Sequence, residues 1–486
     1  MLLKDVVTGL GTSAIADAVG TMPIAGISAD SRRVAAGEIF VALAGTKADG
    51  ARYVADAVAK GAAVVVSGHN AVLADVAIPV IRVDEPRHFL ALASARLNQP
   101  FPKTVAAVTG TSGKTSIAAF LRQIWQAAGH RAASVGTIGI VTPEYETYGS
   151  LTTPDPVELA KSFAKLAREG ITHVAMEASS HGLDQHRLDG IELAAGAFTN
   201  LSRDHLDYHP DVEAYFDAKM RLFEALLGPG KSAVVDVDTP YGRQAAERAK
   251  AVGLDVLTVG VEGATLRLVS TRPEGFAQVI VVEAFGKRHT LKLPLLGTFQ
   301  VSNALVAAGL ALATGIERDK ALYAIEALKG APGRLELVGT TPAGAPVFVD
   351  YSHKPDALEK AIAALRPYTT GRLVVVFGCG GDRDPGKRPV MGEIAVRTAD
   401  VAIVTDDNPR SEDPAEIRRQ ILIAAPGAIE IGDRGEAIRA GVQMLRRGDI
   451  LMIAGKGHET GQIVGDRVLP FSDHEAADAA LRDLKQ

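Results

Sequence analysis

Residues 104–116 read TVAAVTGTSGKTS, and the reading of this stretch decides the fold. Residues 105–108 are an apolar strand, Gly110 and Gly113 make a turn without side-chain bulk, and Lys114 and Thr115 open a helix. That strand–loop–helix order is an anion cradle of the α/β class. The glycines let backbone N–H groups approach phosphate oxygens closely, and the helix start adds unpaired N–H donors with partial positive charge. Lys114 brings a full charge and Thr115 a hydroxyl for Mg²⁺. The longer P-loop pattern has a glycine five residues before Gly113, where this chain carries Val108, so the loop is a shortened variant. The expected ligand is a nucleoside triphosphate, with Gly110, Thr111, Ser112, Gly113, Lys114, Thr115 and Ser116 around its phosphates.

Outward from the loop, strands and helices alternate in both directions. Towards the N-terminus, EIFVAL (38–43), AAVVVS (62–67) and PVIRV (79–83) are short strands among Ala-rich helical stretches, and NQPFPK (98–103) reads as a hinge. Towards the C-terminus, HVAMEASS (173–180), AAGAFTNL (194–201) and SAVVDVD (232–238) are apolar runs ending in polar clusters, and DPVELAKSFAKLAREG (155–170) has helical periodicity with a glycine stop. A β-rich insert (264–295), two helices to Lys329 and a second hinge, GAPGR (330–334), follow. The alternation then restarts with APVFVDYS (345–352), RLVVVFGCG (372–380), DVAIVTDD (400–407) and DILMIAGKG (449–457). At 486 residues the chain has room for about three domains of ~150 residues. The expected division is a small N-terminal α/β domain (1–99), a central P-loop domain (100–331) and a C-terminal Rossmann-like domain (332–486).

Apolar strands that end in Gly, Asp and Ser clusters are what parallel strands look like when a site lies at their carboxyl ends. In MEASSHGLDQHR (176–187), Glu177 closes a strand and is placed to bind the Mg²⁺ that bridges phosphates. FTNLSRDHLDYHP (198–210) brings Asp204, His205 and Asp207 together, with no thiol or paired-histidine spacing for zinc. Lys219, in DVEAYFDAKMRLF (211–223), reads by composition as a solvated helix lysine. Asn303 is expected on the first turn of a helix, as a purine contact. Asp350 is expected to accept from ribose hydroxyls, with His353 just beyond. FGCGGDRDPGKRP (377–389) packs Arg383, Lys387 and Arg388 among four glycines as a second anion loop, and TDDNPRSEDP (405–414) and AGKGHET (454–460) end two more strands in charge.

Composition excludes other classes. Lys and Arg number 52 against 57 Asp and Glu, a net charge of −5, and no basic cluster is interleaved with aromatics, so nucleic acid is not an expected partner. The longest uncharged apolar stretch (302–316) is too short to span a bilayer and contains Asn303. One cysteine, Cys379, leaves no internal disulfide and fits a reducing compartment. The expectation is a soluble, cytoplasmic protein acting on small molecules as a monomer.

Taken together the motifs resemble the Mur ligase family, the ATP-dependent amide ligases of peptidoglycan precursor synthesis. The resemblance runs along nearly the whole chain: DSRRVAAGEIFVALAGTKADG (30–50), TGTSGKT, TTPDP (152–156), MEASSHGLDQHR, NLSRDHLDYH, AYFDAKMRLF, DYSHKPDAL, GCGGDRDPGKRP, DNPR and GKGHE. It departs at Gln300, where the family usually has Asn. The resemblance implies meso-diaminopimelate added to UDP-N-acetylmuramoyl-L-alanyl-D-glutamate through an acyl phosphate, with ATP between the central and C-terminal domains. It implies that Lys114, Lys219, His205 and Glu177 are catalytic, that Thr115, Glu177, His205 and an N-carboxylated Lys219 serve Mg²⁺, and that Asn303, Arg334, Asp350 and His353 complete the ATP site. Ala29, Ser31, Thr46, Lys47, Ala48, Thr152, Thr153, Ser179, Gln185 and Arg187 would hold the UDP-muramoyl-dipeptide. Arg383, Asp407, Asn408, Pro409, Arg410, Gly455 and Glu459 would hold diaminopimelate, with Arg410 matching the carboxylate that lysine lacks. A lysine-adding or folylpolyglutamate synthase-like ligase is the nearest rival, and a nucleotide-switched binding protein is the rival of another class.

Overall fold

The computed structural model describes residues 1–12, 16–45, 49–73, 75–147, 149 and 151–484. The N-terminal segment is a four-stranded parallel sheet in the order Gly26–Ser28, Glu38–Ala42, Val64–Gly68, Val80–Val83. Its strands are mainly apolar because both faces are covered, with Ser28, Glu38, Ser67 and Arg82 as the polar positions. Ile39, Val66 and Ile81 pack with Leu3, Phe89 and Leu90, while Phe40 and Val65 pack with Val54 and Ala57 on the other side.

The loop identified at 110–113 follows the strand Thr104–Thr109 of the central sheet. Six parallel strands run in the order Asp255–Gly260, Ser232–Asp236, Ala195–Phe198, Thr104–Thr109, His173–Glu177, Ala132–Gly136, and Gly139–Val141 and Glu146–Thr147 extend the last one antiparallel. The phosphate-loop strand lies between Ala195–Phe198 and His173–Glu177, so the loops that leave these three strands share one carboxyl end. That position is where open α/β sheets bind ligands. The helix Lys114–Ala127 buries Ile117, Phe120, Leu121, Ile124 and Trp125, and the Trp125 indole donates to Thr314 Oγ1 at 3.0 Å. Pro156–Arg168 starts where the sequence expects, capped by Asp155 Oδ1 accepting from Val157 N and Glu158 N.

The chain divides into two compact units, residues 1–267 with 305–324 and residues 268–304 with 325–486. The second unit contains the antiparallel pair Ala277–Ala284 and Lys287–Leu293 and a six-stranded sheet. That sheet runs Glu336–Thr340, Pro346–Asp350, Ile450–Ala454, Leu373–Phe377, Val401–Val404, Ile429–Glu430, with only the first pair antiparallel. One face packs Phe348, Leu358, Phe377 and Met391; the other packs Val349, Val376, Ile438 and Leu481. Cys379 lies on the first face, buried, its Sγ 3.6 Å from Met391 Sδ, and burial pushes the thiol up to about 12. A small hairpin, Gly461–Val464 and Arg467–Pro470, projects after the last parallel strand. The fold is the three-sheet α/β architecture expected from the strand–helix alternation.

Candidate active site

The loop leaves Thr109 with Gly110 at φ 142° and reaches the helix with Gly113 at φ 91°, conformations that glycine adopts without strain. A side chain on Gly110 would collide with the Thr199 hydroxyl. Thr199 and Asn200, from the end of the neighbouring strand, fix the loop: Thr199 Oγ1 donates to Ser112 O at 2.7 Å, and Ser112 N donates to Asn200 Oδ1 at 3.0 Å. Lys114 Nζ donates to Gly110 O at 2.8 Å and Thr111 O at 3.0 Å, so its charge is folded over the cradle.

Lys219 corrects the composition-based reading. It is 1% exposed, not solvated, and its Nζ donates to Gly110 O at 2.9 Å, the carbonyl that Lys114 also holds. The helix Val212–Arg221, capped by Asp211, carries it inward, and its ammonium lies 4.2 Å from the Tyr215 ring. Tyr215 also meets Thr111 Oγ1 at 3.2 Å, and burial raises its phenol well above the ordinary value.

Glu177 pairs in register with Val108 and is 2% exposed. Its carboxylate accepts from Thr137 N at 2.8 Å and Thr137 Oγ1 at 3.1 Å, and Thr137 Oγ1 is 3.0 Å from Thr152 Oγ1. Thr153 Oγ1 lies 3.0 Å from Ser179 Oγ and donates to Glu177 O at 2.9 Å. Arg187 donates to Thr153 O at 2.6 Å and Gln185 Oε1 at 2.8 Å, and Gln185 donates to the Tyr208 hydroxyl at 3.1 Å. Thr152, Thr153, Ser179, Gln185 and Arg187 thus form one connected wall. His205 stands at φ 53°, its side chain 43% exposed, 4.9 Å from the His181 ring. Burial, then the neighbouring His209, lowers the basicity of His181.

Ala29 lines a cleft of about 350 Å³ with Ser28, Asp30, Gln185 and Arg187, whereas Ser31 is buried and does not line it. Thr46, Lys47 and Ala48 lie outside the described residues. Elsewhere on this unit His88 Nδ1 and His186 Nδ1 lie 2.7 and 2.6 Å from Asp189 Oδ2. The Arg221 guanidinium sits 3.0 Å from His186 Nδ1 and 3.2 Å from the same carboxylate oxygen. Against burial, which raises it, His186, Arg221 and His88 together hold the Asp189 carboxyl at about 2.

On the second unit, Arg410 (φ 52°) lies over Gly380 and Gly381, with Nη1 donating to Gly381 O at 2.8 Å. A Cβ on Gly380 would lie 2.7 Å from that nitrogen. Asn408 donates to Glu459 Oε2 at 3.0 Å, and the fully buried Lys456 donates to Asn408 Oδ1 at 3.1 Å and Glu459 Oε2 at 3.0 Å. Asp407 Oδ1 is buried without a hydrogen-bond partner among the described residues, 3.7 Å from Lys456 Nζ. Gly455, at φ 121°, passes close by this carboxylate. The hairpin grips the DNPR segment: Arg410 N donates to Ile463 O at 3.0 Å, Ile463 N to Asn408 Oδ1 at 2.9 Å, and Gln462 Nε2 to Asp407 O at 2.7 Å.

Three expectations on this unit need correction. Arg388 is not a ligand in an anion loop: it is 1% exposed and donates to Glu412 and Gln420, both at 2.8 Å, while Arg383 stays exposed. Asn303 is the sixth residue of the helix Thr298–Ala313, beyond its first turn, because the helix begins directly after Gly297. It donates to Gln300 Oε1 at 3.0 Å, so the residue that departs from the family pattern is bound to the proposed purine contact. Asp350 is turned to its own backbone, accepting from Ser352 N at 2.8 Å and Leu335 N at 2.7 Å, and burial raises its carboxyl. Beside it, His353 is lowered to about 4 by burial, and the Arg334 guanidinium lies 4.3 Å from the Tyr351 ring. Thr137, Tyr215, Thr199, Lys456 and Gln462 escaped the sequence reading; Thr199, Tyr215 and Lys456 stood inside quoted motifs without being singled out, and Thr137 and Gln462 stood outside them.

Comparison with known proteins places each segment. The model of the Mur ligase family catalytic domain matches residues 23–97, that of the Mur ligase middle domain 108–311, and that of the Mur ligase glutamate ligase domain 333–457. A UDP-N-acetylmuramoyl-L-alanyl-D-glutamate–2,6-diaminopimelate ligase from Mesorhizobium japonicum is 59% identical over 483 residues, 99% of each chain. One from Chelativorans is 60% identical over 464 residues, 96% of each. Among solved structures, a protein with that same name superposes with a TM-score of 0.74 at 31% identity, covering 100% of this chain and 99% of its own. A folylpolyglutamate synthase from Mycobacterium tuberculosis, at 18% identity and a TM-score of 0.63, covers 76% of this chain and shares the fold.

Proposed function

The chain belongs to the Mur ligase family, and from that premise we propose that it joins meso-diaminopimelate to the D-glutamate carboxylate of UDP-N-acetylmuramoyl-L-alanyl-D-glutamate at the expense of ATP, in peptidoglycan precursor synthesis. The observation that carries the reaction class is Lys219, buried at 2.9 Å from Gly110 O beside Lys114. Lys219 donates to the carbonyl that Lys114 already holds, and a carbamate formed from its neutral amine and CO₂, with loss of a proton, is an anion suited to a metal in a phosphate cradle.

A carboxylate and an amine do not condense unaided in water, so the acceptor carboxylate is first phosphorylated. Catalysis is then positioning and charge neutralisation. Lys114 exchanges its loop carbonyls for the transferring phosphoryl oxygens. The donor set fits a hard divalent cation, with the Thr115 hydroxyl nearly buried at the helix start and the Glu177 carboxylate at the end of the paired strand. We assign Mg²⁺ to Thr115, Glu177, His205 and the Lys219 carbamate; when bound it supplies neutralisation of phosphate charge. The wall of Thr152, Thr153, Ser179, Gln185 and Arg187 orients the dipeptide, and Ala29, which lines the cleft, is assigned to the uridine end. On the second unit, Asp407 Oδ1 offers an acceptor to a substrate ammonium, and Asn408, Glu459 and Gly455 frame it. Arg410, with Arg383, faces the distal carboxylate of diaminopimelate. Asn303, Arg334 and His353 serve the nucleotide, Asn303 from the second turn of its helix rather than the first. The domain limits of this reading are 1–99, 100–331 and 332–486, and the enzyme acts as a cytoplasmic monomer.

The test is phosphate release and amide formation with each substrate omitted in turn. Both the UDP-muramoyl-dipeptide and diaminopimelate must be required, with lysine poorly used. ATP hydrolysis indifferent to both, or product from a folate and glutamate, overturns the reading.

A further inference from the structure

We propose that the buried Lys456 is a positioning residue for the amino-acid substrate, fixing which atoms Asn408 and Glu459 present to it. This rests on the function proposed above and adds a residue that has no role there. Lys456 follows Gly455 at the end of the strand Ile450–Ala454, and Glu459 N donates to Lys456 O at 3.0 Å. That turn brings the two side chains together, with Nζ 3.0 Å from Glu459 Oε2. The same ammonium donates to Asn408 Oδ1 at 3.1 Å and lies 3.7 Å from Asp407 Oδ1. One side chain, 0% exposed, therefore touches three of the residues assigned to diaminopimelate.

The consequence is a choice of atoms. Asn408 Oδ1 accepts from Ile463 N at 2.9 Å as well as from Lys456, so two donors hold the amide one way round. Its Nδ2 is then turned to Glu459 Oε2 at 3.0 Å, which uses one N–H and leaves the second for a ligand. Glu459 Oε2 accepts from both Lys456 and Asn408, and Oε1 is the oxygen left to a ligand. Neither orientation is set without the ammonium, since a carboxylate and an amide rotate freely about their terminal bonds. Burying an ammonium is costly, and a methionine of similar length would fill the space without that cost. The other fully buried cation of this region, Arg434, makes the contrast. It is held by Asp473 at 2.7 and 2.8 Å, donates to Ala454 O and Asp406 O, and hydrogen-bonds none of the side chains assigned to the amino acid. Arg434 braces the strand ends; Lys456 is spent on the site.

The experiment is steady-state amide formation by the full-length protein, each substrate varied in turn. The variants are Lys456→Met, Lys456→Gln, Glu459→Gln and the double variant Lys456→Met with Glu459→Gln. For Lys456→Met the expected result is kcat/KM for diaminopimelate lowered at least about thirtyfold, with KM for ATP and for UDP-muramoyl-dipeptide within about twofold of wild type. Lys456→Gln keeps a shorter donor and should fall between the two; it takes the place of the methionine variant if that one does not fold. Because the lysine acts through its partners, the loss from Lys456→Met should shrink at least about fivefold in the Glu459→Gln background. A folded variant in which all three KM values rise together, or in which the loss is the same in both backgrounds, makes Lys456 a packing residue and overturns the inference while leaving the ligase reading intact. So does a folded variant with unchanged kcat/KM for diaminopimelate. A wild type that ligates no diaminopimelate overturns the function proposed above, and the inference with it.

Discussion

At the scale of the residue, the two lysines that donate to Gly110 O make separable predictions under the same assay. Lys114→Ala should abolish ligation in a folded protein, because a preorganised charge on a transferring phosphoryl group is worth at least ~3 kcal/mol of transition-state stabilisation; near-wild-type turnover would refute its role. Lys219→Ala should be severely impaired and partly restored by short carboxylic acids that replace a lost anion, while Lys219→Arg, which keeps a cation, should be inactive. An active arginine variant would return Lys219 to a packing role. Lys114 was legible because its place in the motif fixes its surroundings. Lys219 was not, because nothing in the composition of an amphipathic helix says which lysine turns inward; only burial against Tyr215 and Gly110 O does. His173 carries a pH prediction. Burial, with His130 4.1 Å away, lowers it to about 4 from an ordinary 6.5. The folded state therefore refuses a proton that the unfolded chain accepts, and stability should fall as pH drops from about 6.5 to about 4, by up to about 3 kcal/mol. Thermal unfolding of His173→Gln should show a flatter dependence over that window.

At the scale of the element, the amino-acid end is built by glycines and a hairpin as much as by charged groups. Arg410 lies on Gly380 and Gly381, and a side chain on Gly381 would collide with Pro409 O. Gly381→Ala should therefore depress kcat/KM for diaminopimelate by displacing Arg410, while leaving the KM for UDP-muramoyl-dipeptide unchanged. Arg410→Ala and Arg410→Lys should lower kcat/KM for diaminopimelate by orders of magnitude, since neither offers a planar fork and an unmet buried polar partner discriminates by ~10⁴ or more. Lysine turnover should stay low, because removing a charge does not build a lysine pocket. Steady-state amide formation with both amino acids decides it. The strands and the DNPR motif were legible here, from apolar runs ending in polar clusters. The hairpin contacts from Ile463 and Gln462 were not, because backbone pairing leaves no side-chain signature. Arg388 was misread for a related reason: a basic residue in a Gly-rich loop looks like a ligand until Glu412 and Gln420 are found against it.

At the scale of the molecule, hydrophobic burial is divided among separate cores on three sheets, the C-terminal sheet carrying one on each face. A chain built that way should not melt in one two-state step; calorimetry should give a calorimetric enthalpy larger than the van't Hoff value. The sequence foretold this plan because each sheet announces itself by its own run of strands, whereas the compact-unit limits at 267 and 304 fall inside a strand and a helix, where no hinge signal exists. The sealed thiol has a practical side. The chain's one cysteine lies under the C-terminal sheet, raised to about 12, so at neutral pH fewer than about one molecule in 10⁴ presents a thiolate there, and that one is walled off from solvent. Any cysteine introduced on the surface will therefore take a maleimide dye or spin label alone. The wild-type background should thus be silent, so that pairs of labels can follow the domains through turnover without first engineering the native residue away.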